Sequence, residues 1–103
     1  MITQRRVFQA KVGESGQVVE KMKEFQPYFE KVGGPTSRIY TDFFSGNTDR
    51  VVWEFDAESL GHLESIFLAA GEDPDYQKAY ENWYESLMPL IEGATVELWN
   101  RAI

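Results

Sequence analysis

Between Val18 and Val32 the large apolar residues Val18, Met22, Phe25, Phe29 and Val32 stand four, three, four and three positions apart, which is the stripe of a one-sided α-helix. Just before it the period changes to two. From Ile2 to Val12, residues Ile2, Phe8, Ala10 and Val12 fall on one side and Thr3, Arg5, Gln9 and Lys11 on the other, with Val7 the exception. A helix with one apolar stripe must bury it, and a strand with one apolar face offers the matching surface, so helices and strands share a core. Ser15 is placed to cap the helix. Pro27 lacks an N–H and is expected to kink or end it near Lys23 to Gln26, before "GGP" (Gly33 to Pro35) stops it.

The same two periods continue along the chain. Thr36 to Ser45 and Arg50 to Asp56 are β-branched and aromatic runs joined by "SGNTD", a hairpin whose turn suits positive φ. Asp56 or Ser59 can cap a second helix with the stripe Leu60, Leu63, Phe67 and Ala70, ending at Gly71. "EDPDY" restarts it, with Asp73 as N-cap and Pro74 as first helical residue, and Tyr76, Ala79, Tyr80, Trp83, Leu87 and Leu90 repeat at three or four. Pro89 frays its last turn and Gly93 ends it, after which Ala94 to Ala102 alternates as a final strand.

The order is β-α-β-β-α-β, the ferredoxin-like arrangement, in an α+β single domain over residues 1–103. Right-handed crossovers give a four-stranded antiparallel sheet of order 4-1-3-2 with two helices on one face. The opposite face carries Val7, Val52 and Trp99 among charged residues, too apolar to leave wet. A second copy laid against it would cover it, so a homodimer through the sheet faces is expected, closing into an α+β barrel.

Charge and composition narrow the partners. Ten Lys+Arg against 17 Asp+Glu give a net charge of -7, which repels phosphate backbones and anionic lipid, so neither nucleic acid nor a membrane is an expected partner. With no cysteine there is no disulfide, thiol nucleophile or thiolate metal site. No stretch approaches about 18 uninterrupted apolar residues and the N-terminus has no apolar leader pattern, so a soluble cytoplasmic protein is expected.

The layout, together with the segments "VVWEFDAESLGHLES" and "EDPDYQKAYENWYESLMPLIEG", resembles the dimeric α+β barrel superfamily, and within it NIPSNAP-like proteins and the antibiotic-biosynthesis monooxygenase group. The resemblance implies two ferredoxin-like subunits with a cavity between sheet and helices in each. In heme-degrading and related members that cavity uses a first-strand asparagine and a second-helix tryptophan and histidine. Here those positions fall on Gln4 or Arg6, near Glu64 and near Tyr80, so the heme set is not carried over and no cofactor is expected.

Several residues invite chemistry. His62 is the only imidazole; near the start of a helix the dipole favours its neutral form, suiting proton abstraction, although it lies beside the apolar stripe, as a solvated surface histidine would. Arg6 has the parity of Phe8 and Ala10 and so faces the helices, where a charge needs a carboxylate, a ligand anion or water. If its partner is a ligand, it is a fork for a carboxylate, phenolate or carbonyl oxygen. Trp53 shares the parity of Val51 and Phe55, and Phe8, Tyr40, Tyr80 and Trp83 are candidates to close the same space, as core or as ligand-binding walls. Glu54 has the opposite parity and is expected in ion pairs with Arg5, Glu97 and Arg101 as neighbours. Glu72, Asp73 and Asp75 lack a calcium-loop pattern and read as capping, and no metal site is expected.

The leading expectation is a small-molecule-binding dimeric barrel with an apolar, aromatic cavity. The alternatives are a cofactor-independent monooxygenase or isomerase acting on an aromatic or polyketide-like substrate, with Arg6 and His62 catalytic, and a non-catalytic interaction module. A cavity of about 300 Å³ or more reached by Arg6 and Trp53 separates the first two from the third.

Overall fold

The computed structural model describes residues 1–103. Its elements are β1 (Ile2–Ala10), α1 (Ser15–Lys31), β2 (Arg38–Thr41), β3 (Arg50–Ala57), α2 (Leu60–Glu72), α3 (Pro74–Leu87), a 3₁₀ turn (Met88–Leu90) and β4 (Ile91–Asn100). The strands form one antiparallel sheet in the order β2-β3-β1-β4, as the crossover rules require. The second crossover is built from two helices where one interrupted helix was expected. Asp73 accepts the Tyr76 N–H and Pro74 opens α3, so the break is a full cap.

Residues of β1 and β3 alternate across the sheet. Phe8, Ala10, Val51, Trp53, Phe55 and Ala57 are buried toward the helices, where Val18, Met22, Phe25 and Phe29 of α1 meet them. The α1 stripe is therefore the one read from its spacing. Pro27 does not break the helix, which runs unbroken to Lys31. Pro27 and Lys23 are exposed, so the Lys23 carbonyl that loses its partner lies where water can take it. Ser15 is the first helical residue, not the cap; Glu14 stands at the cap without a side-chain bond.

Three local features differ from expectation, each for its own reason. The hairpin strand ends at Thr41, since the Asp42 carboxylate accepts the Ser45 N–H at 3.0 Å and the Arg50 Nε–H at 3.3 Å, folding residues 42–49 into a turn. Gly46 and Asp49 supply its positive φ, while Phe43 and Phe44 are left in solvent. Helix α2 buries Leu63, Ile66 and Ala70, so Leu60 and Phe67 of the expected stripe are exposed instead. Strand β4 starts at Ile91, before Gly93, because the 3₁₀ turn brings the chain back early. No helix is long and apolar enough to cross a membrane.

Candidate functional site

Antiparallel register places Arg6 directly opposite Trp53 of β3 on one side and Val96 of β4 on the other. Gln4, two residues earlier, stands between Phe55 and Leu98 on the same helix-side face. Together with Phe25 and Phe29 of α1, Phe67 of α2, and Tyr76, Tyr80 and Trp83 of α3, these β1 and β3 residues line a cavity of about 30 Å³. The walls are an interlocked aromatic set. Phe25 stacks on Trp83 at 5.2 Å between centroids, Trp53 meets Phe29 at 5.6 Å, and Tyr80 meets Trp83 at 5.6 Å.

Within these walls the polar groups are short of partners. Arg6 is half-buried and makes neither an ion pair nor a side-chain hydrogen bond. The indole N–H groups of Trp53 and Trp83 are buried and unpaired. Gln4 is 6% exposed. Burial pushes the Tyr76 phenol above its ordinary range, with Tyr80 adding to the effect, while the Arg6 charge pulls the other way.

The expected site residues divide. Arg6, Trp53, Tyr80 and Trp83 come together at the cavity. Phe8 is core behind it, edge-on to Trp83 at 6.2 Å. Tyr40 lies on the wrong face: it pairs with Val52, so it points away from the helices and is 48% exposed. His62 does not line the cavity. Its Nδ1 accepts the Glu58 backbone N–H at 3.0 Å, and its backbone N–H donates to Ser59 Oγ at 3.1 Å, so His62 is held in the α2 cap. Phe25, Phe29 and Phe55 were visible as apolar periodicity but not as cavity walls; Gln4 and Tyr76 also share the required faces. The cavity is about a tenth of the volume expected of a ligand-sized pocket, because the large aromatics fill the interior; by volume alone the packed interior favours the non-catalytic module, and it is the unpaired polar groups that speak for a ligand.

The opposite face of the sheet carries a charge network. Glu54, 5% exposed, accepts from Arg5 at 2.7 Å and Arg38 at 3.0 Å, and Arg38 also reaches Asp56 at 2.8 Å. Arg38 is the partner sequence reading missed, whereas Glu97 accepts the Trp99 indole N–H instead. Burial works to raise the Glu54 carboxyl, but the two guanidinium bonds outweigh it and hold it below its usual range. Asp56, held by Arg38 and Thr3, is lowered to about 2. In the acidic cluster Asp73 caps α3 and Asp75 pairs with Lys31 at 3.1 Å.

No family model matches the chain, and no curated protein matches it. Solved structures do. A NIPSNAP family protein of unknown function from Agrobacterium tumefaciens superposes with a TM-score of 0.78 at 16% identity, covering 99% of this chain and 88% of that one. An uncharacterized NIPSNAP domain protein from Burkholderia xenovorans gives 0.76 at 15%, covering 99% and 95%. An antibiotic biosynthesis monooxygenase gives 0.68 at 10%, covering 100% of both chains. The ferredoxin-like fold is thus shared with NIPSNAP proteins and with antibiotic-biosynthesis-monooxygenase-like proteins, the two groups its sequence resembles.

Proposed function

We propose that the chain is a cytoplasmic homodimer that binds a small, largely apolar or aromatic molecule on the helix side of each sheet. One observation carries the binding: Arg6 sits among aromatic walls with no carboxylate to answer its charge. A protein that wanted only a filled core would do better with an apolar residue there. The enclosed volume of about 30 Å³ receives only part of a ligand, and the remainder lies over the exposed Tyr80 and Phe67 at the rim.

The dimer is supported by the outer sheet face. Trp99 is 57% exposed and Tyr40 48%, on the same sheet face as half-buried Val7 and Val52. Burying such groups at about 25 cal/mol per Å² is the driving force for a second copy to cover them. Sedimentation equilibrium tests it: a mass of twice 11.9 kDa is expected for the parent, and a monomer for Val7→Lys with Trp99→Lys. A monomeric parent overturns the dimer. Binding is tested by following the melting temperature against small aromatic compounds; a rise that Arg6→Gln abolishes supports the site, and no rise with any compound removes it.

A cofactor-independent monooxygenase or isomerase is the second reading. In it Arg6 would hold an enolate or phenolate oxygen, and what supports it is that Arg6 lines the cavity and that one structure of the same fold is an antibiotic biosynthesis monooxygenase. In this reading a water, not the His62 side chain engaged by Glu58, serves as base.

A further inference from the structure

We infer that the cavity receives the carboxylate head of an apolar acid whose body lies along the helix-side face of β4. This rests on the reading of the cavity as a ligand site and names what that ligand is. The polar groups gathered there are weighted heavily toward donors. A guanidinium and an indole N–H can only donate, and Arg6, Trp53 and Trp83 supply one of the first and two of the second, none with an acceptor in the protein. Buried N–H groups without acceptors are rare, and Trp53 and Trp83, which both carry one, line the cavity beside the unpaired Arg6 cation, so the site calls for an incoming acceptor that carries negative charge. Gln4, 6% exposed and lining the same space, adds an amide donor.

Size selects the head. About 30 Å³ admits a water or a group of few atoms and excludes a ring. A water there would answer the indoles and leave Arg6 uncompensated; a planar carboxylate answers both, and its two oxygens match the guanidinium fork. The surroundings select the body. Val96 and Leu98 stand opposite Arg6 and Gln4 on the same face of the sheet, yet each is 54% exposed. Phe67 at 46% and Tyr80 at 42% exposure line the pocket itself, and Val96 and Leu98 flank its Arg6 and Gln4 across the β1–β4 ladder, so apolar surface borders the polar pocket. A polar head joined to an apolar body satisfies the two regions together.

The three tryptophans make the test internal. The Trp99 indole donates to Glu97 at 2.7 Å on the opposite face, so its N–H resonance serves as a reference for those of Trp53 and Trp83. The full chain, labelled with ¹⁵N, is titrated with benzoate, octanoate and 1-naphthaleneacetate and with the three corresponding primary amides. The expected result is movement of the Trp53 and Trp83 indole resonances with at least one carboxylate, a stationary Trp99, and at least tenfold weaker binding of its amide. Arg6→Gln should remove the carboxylate's advantage over its amide, and Arg6→Lys should recover only part of it, because an ammonium lacks the fork. Equal binding of acid and amide, or an acid that binds Arg6→Gln as well as the parent, overturns the carboxylate inference and leaves the cavity as a ligand site. Failure of every probe to move either indole overturns both.

Discussion

Arg6 and Trp53 are directly opposed residues of β1 and β3, on the helix side of the sheet, and neither the guanidinium of one nor the indole N–H of the other has a hydrogen-bond partner in the protein. Two adjacent unanswered donors in an aromatic interior weaken a fold, and the position has a simple consequence for stability. Arg6→Met removes a half-buried charge without breaking an ion pair. The ligand-free protein should become more stable by about 1 kcal/mol, read as a higher urea midpoint at constant slope. A lower midpoint would show that the charge is answered within the protein.

Glu54 is the reverse case, a buried charge with two partners. Its carboxylate lies 2.7 Å from Arg5 and 3.0 Å from Arg38. Glu54→Gln should cost about 3 kcal/mol, because both guanidiniums then share one neutral oxygen. Adding Arg38→Met to that background should cost less than Arg38→Met alone, the non-additivity expected of one network. Strict additivity in chemical denaturation would show that the pairs act independently.

Asp56 sets an acid limit. Its carboxyl is lowered from 3.8 to about 2 by hydrogen bonds from Arg38 and Thr3. The folded state therefore binds the proton less readily than the unfolded state. Its contribution is complete above the unfolded value and fades as pH falls from about 4 toward 2. With allowance for solvent, the loss from this group is about 1 kcal/mol. Asp56→Asn should flatten the stability profile in that interval, and an unchanged acid slope would contradict the assignment.

Gly34 supports the cavity wall from behind. A Cβ there would lie 2.6 Å from the Phe29 carbonyl oxygen and press into the Phe29 ring, which packs on Phe55 at 4.9 Å and Trp53 at 5.6 Å. Gly34→Ala should destabilise by about 2 kcal/mol through this overpacking. Gly71→Ala, where nothing lies within 4 Å of the added Cβ, is the control and should stabilise by about 0.5 kcal/mol as a helical residue. Thermal melts of the two variants should shift in opposite directions.

Much of the site is legible in the residues themselves. Arg6 and Trp53 were placed on the helix side, and Glu54 on the other, from strand alternation alone. Tyr40 was misplaced because β2 is only four residues long and too short to show its own parity; its pairing with Val52 decides its face. His62 reads from its position as either a base or a solvated surface histidine, and the fold back at the start of α2 gives its Nδ1 the Glu58 backbone N–H. The α2 stripe was off by one residue, with Ile66 buried where Phe67 was expected, because neighbouring apolar positions left two rotations open and the sheet chose between them.

The chain's own periodicities determined the order of elements, the strand order and the inward face of β1 and β3, since alternation and helical pitch are set by backbone geometry within a few residues. Only the tertiary structure decided that Arg38 closes on Glu54, that aromatic side chains shrink the cavity to about 30 Å³, and that Val96 and Leu98 stay open beside it. Those outcomes depend on register, helix rotation and filled volume between segments distant along the chain, and no local pattern carries that information.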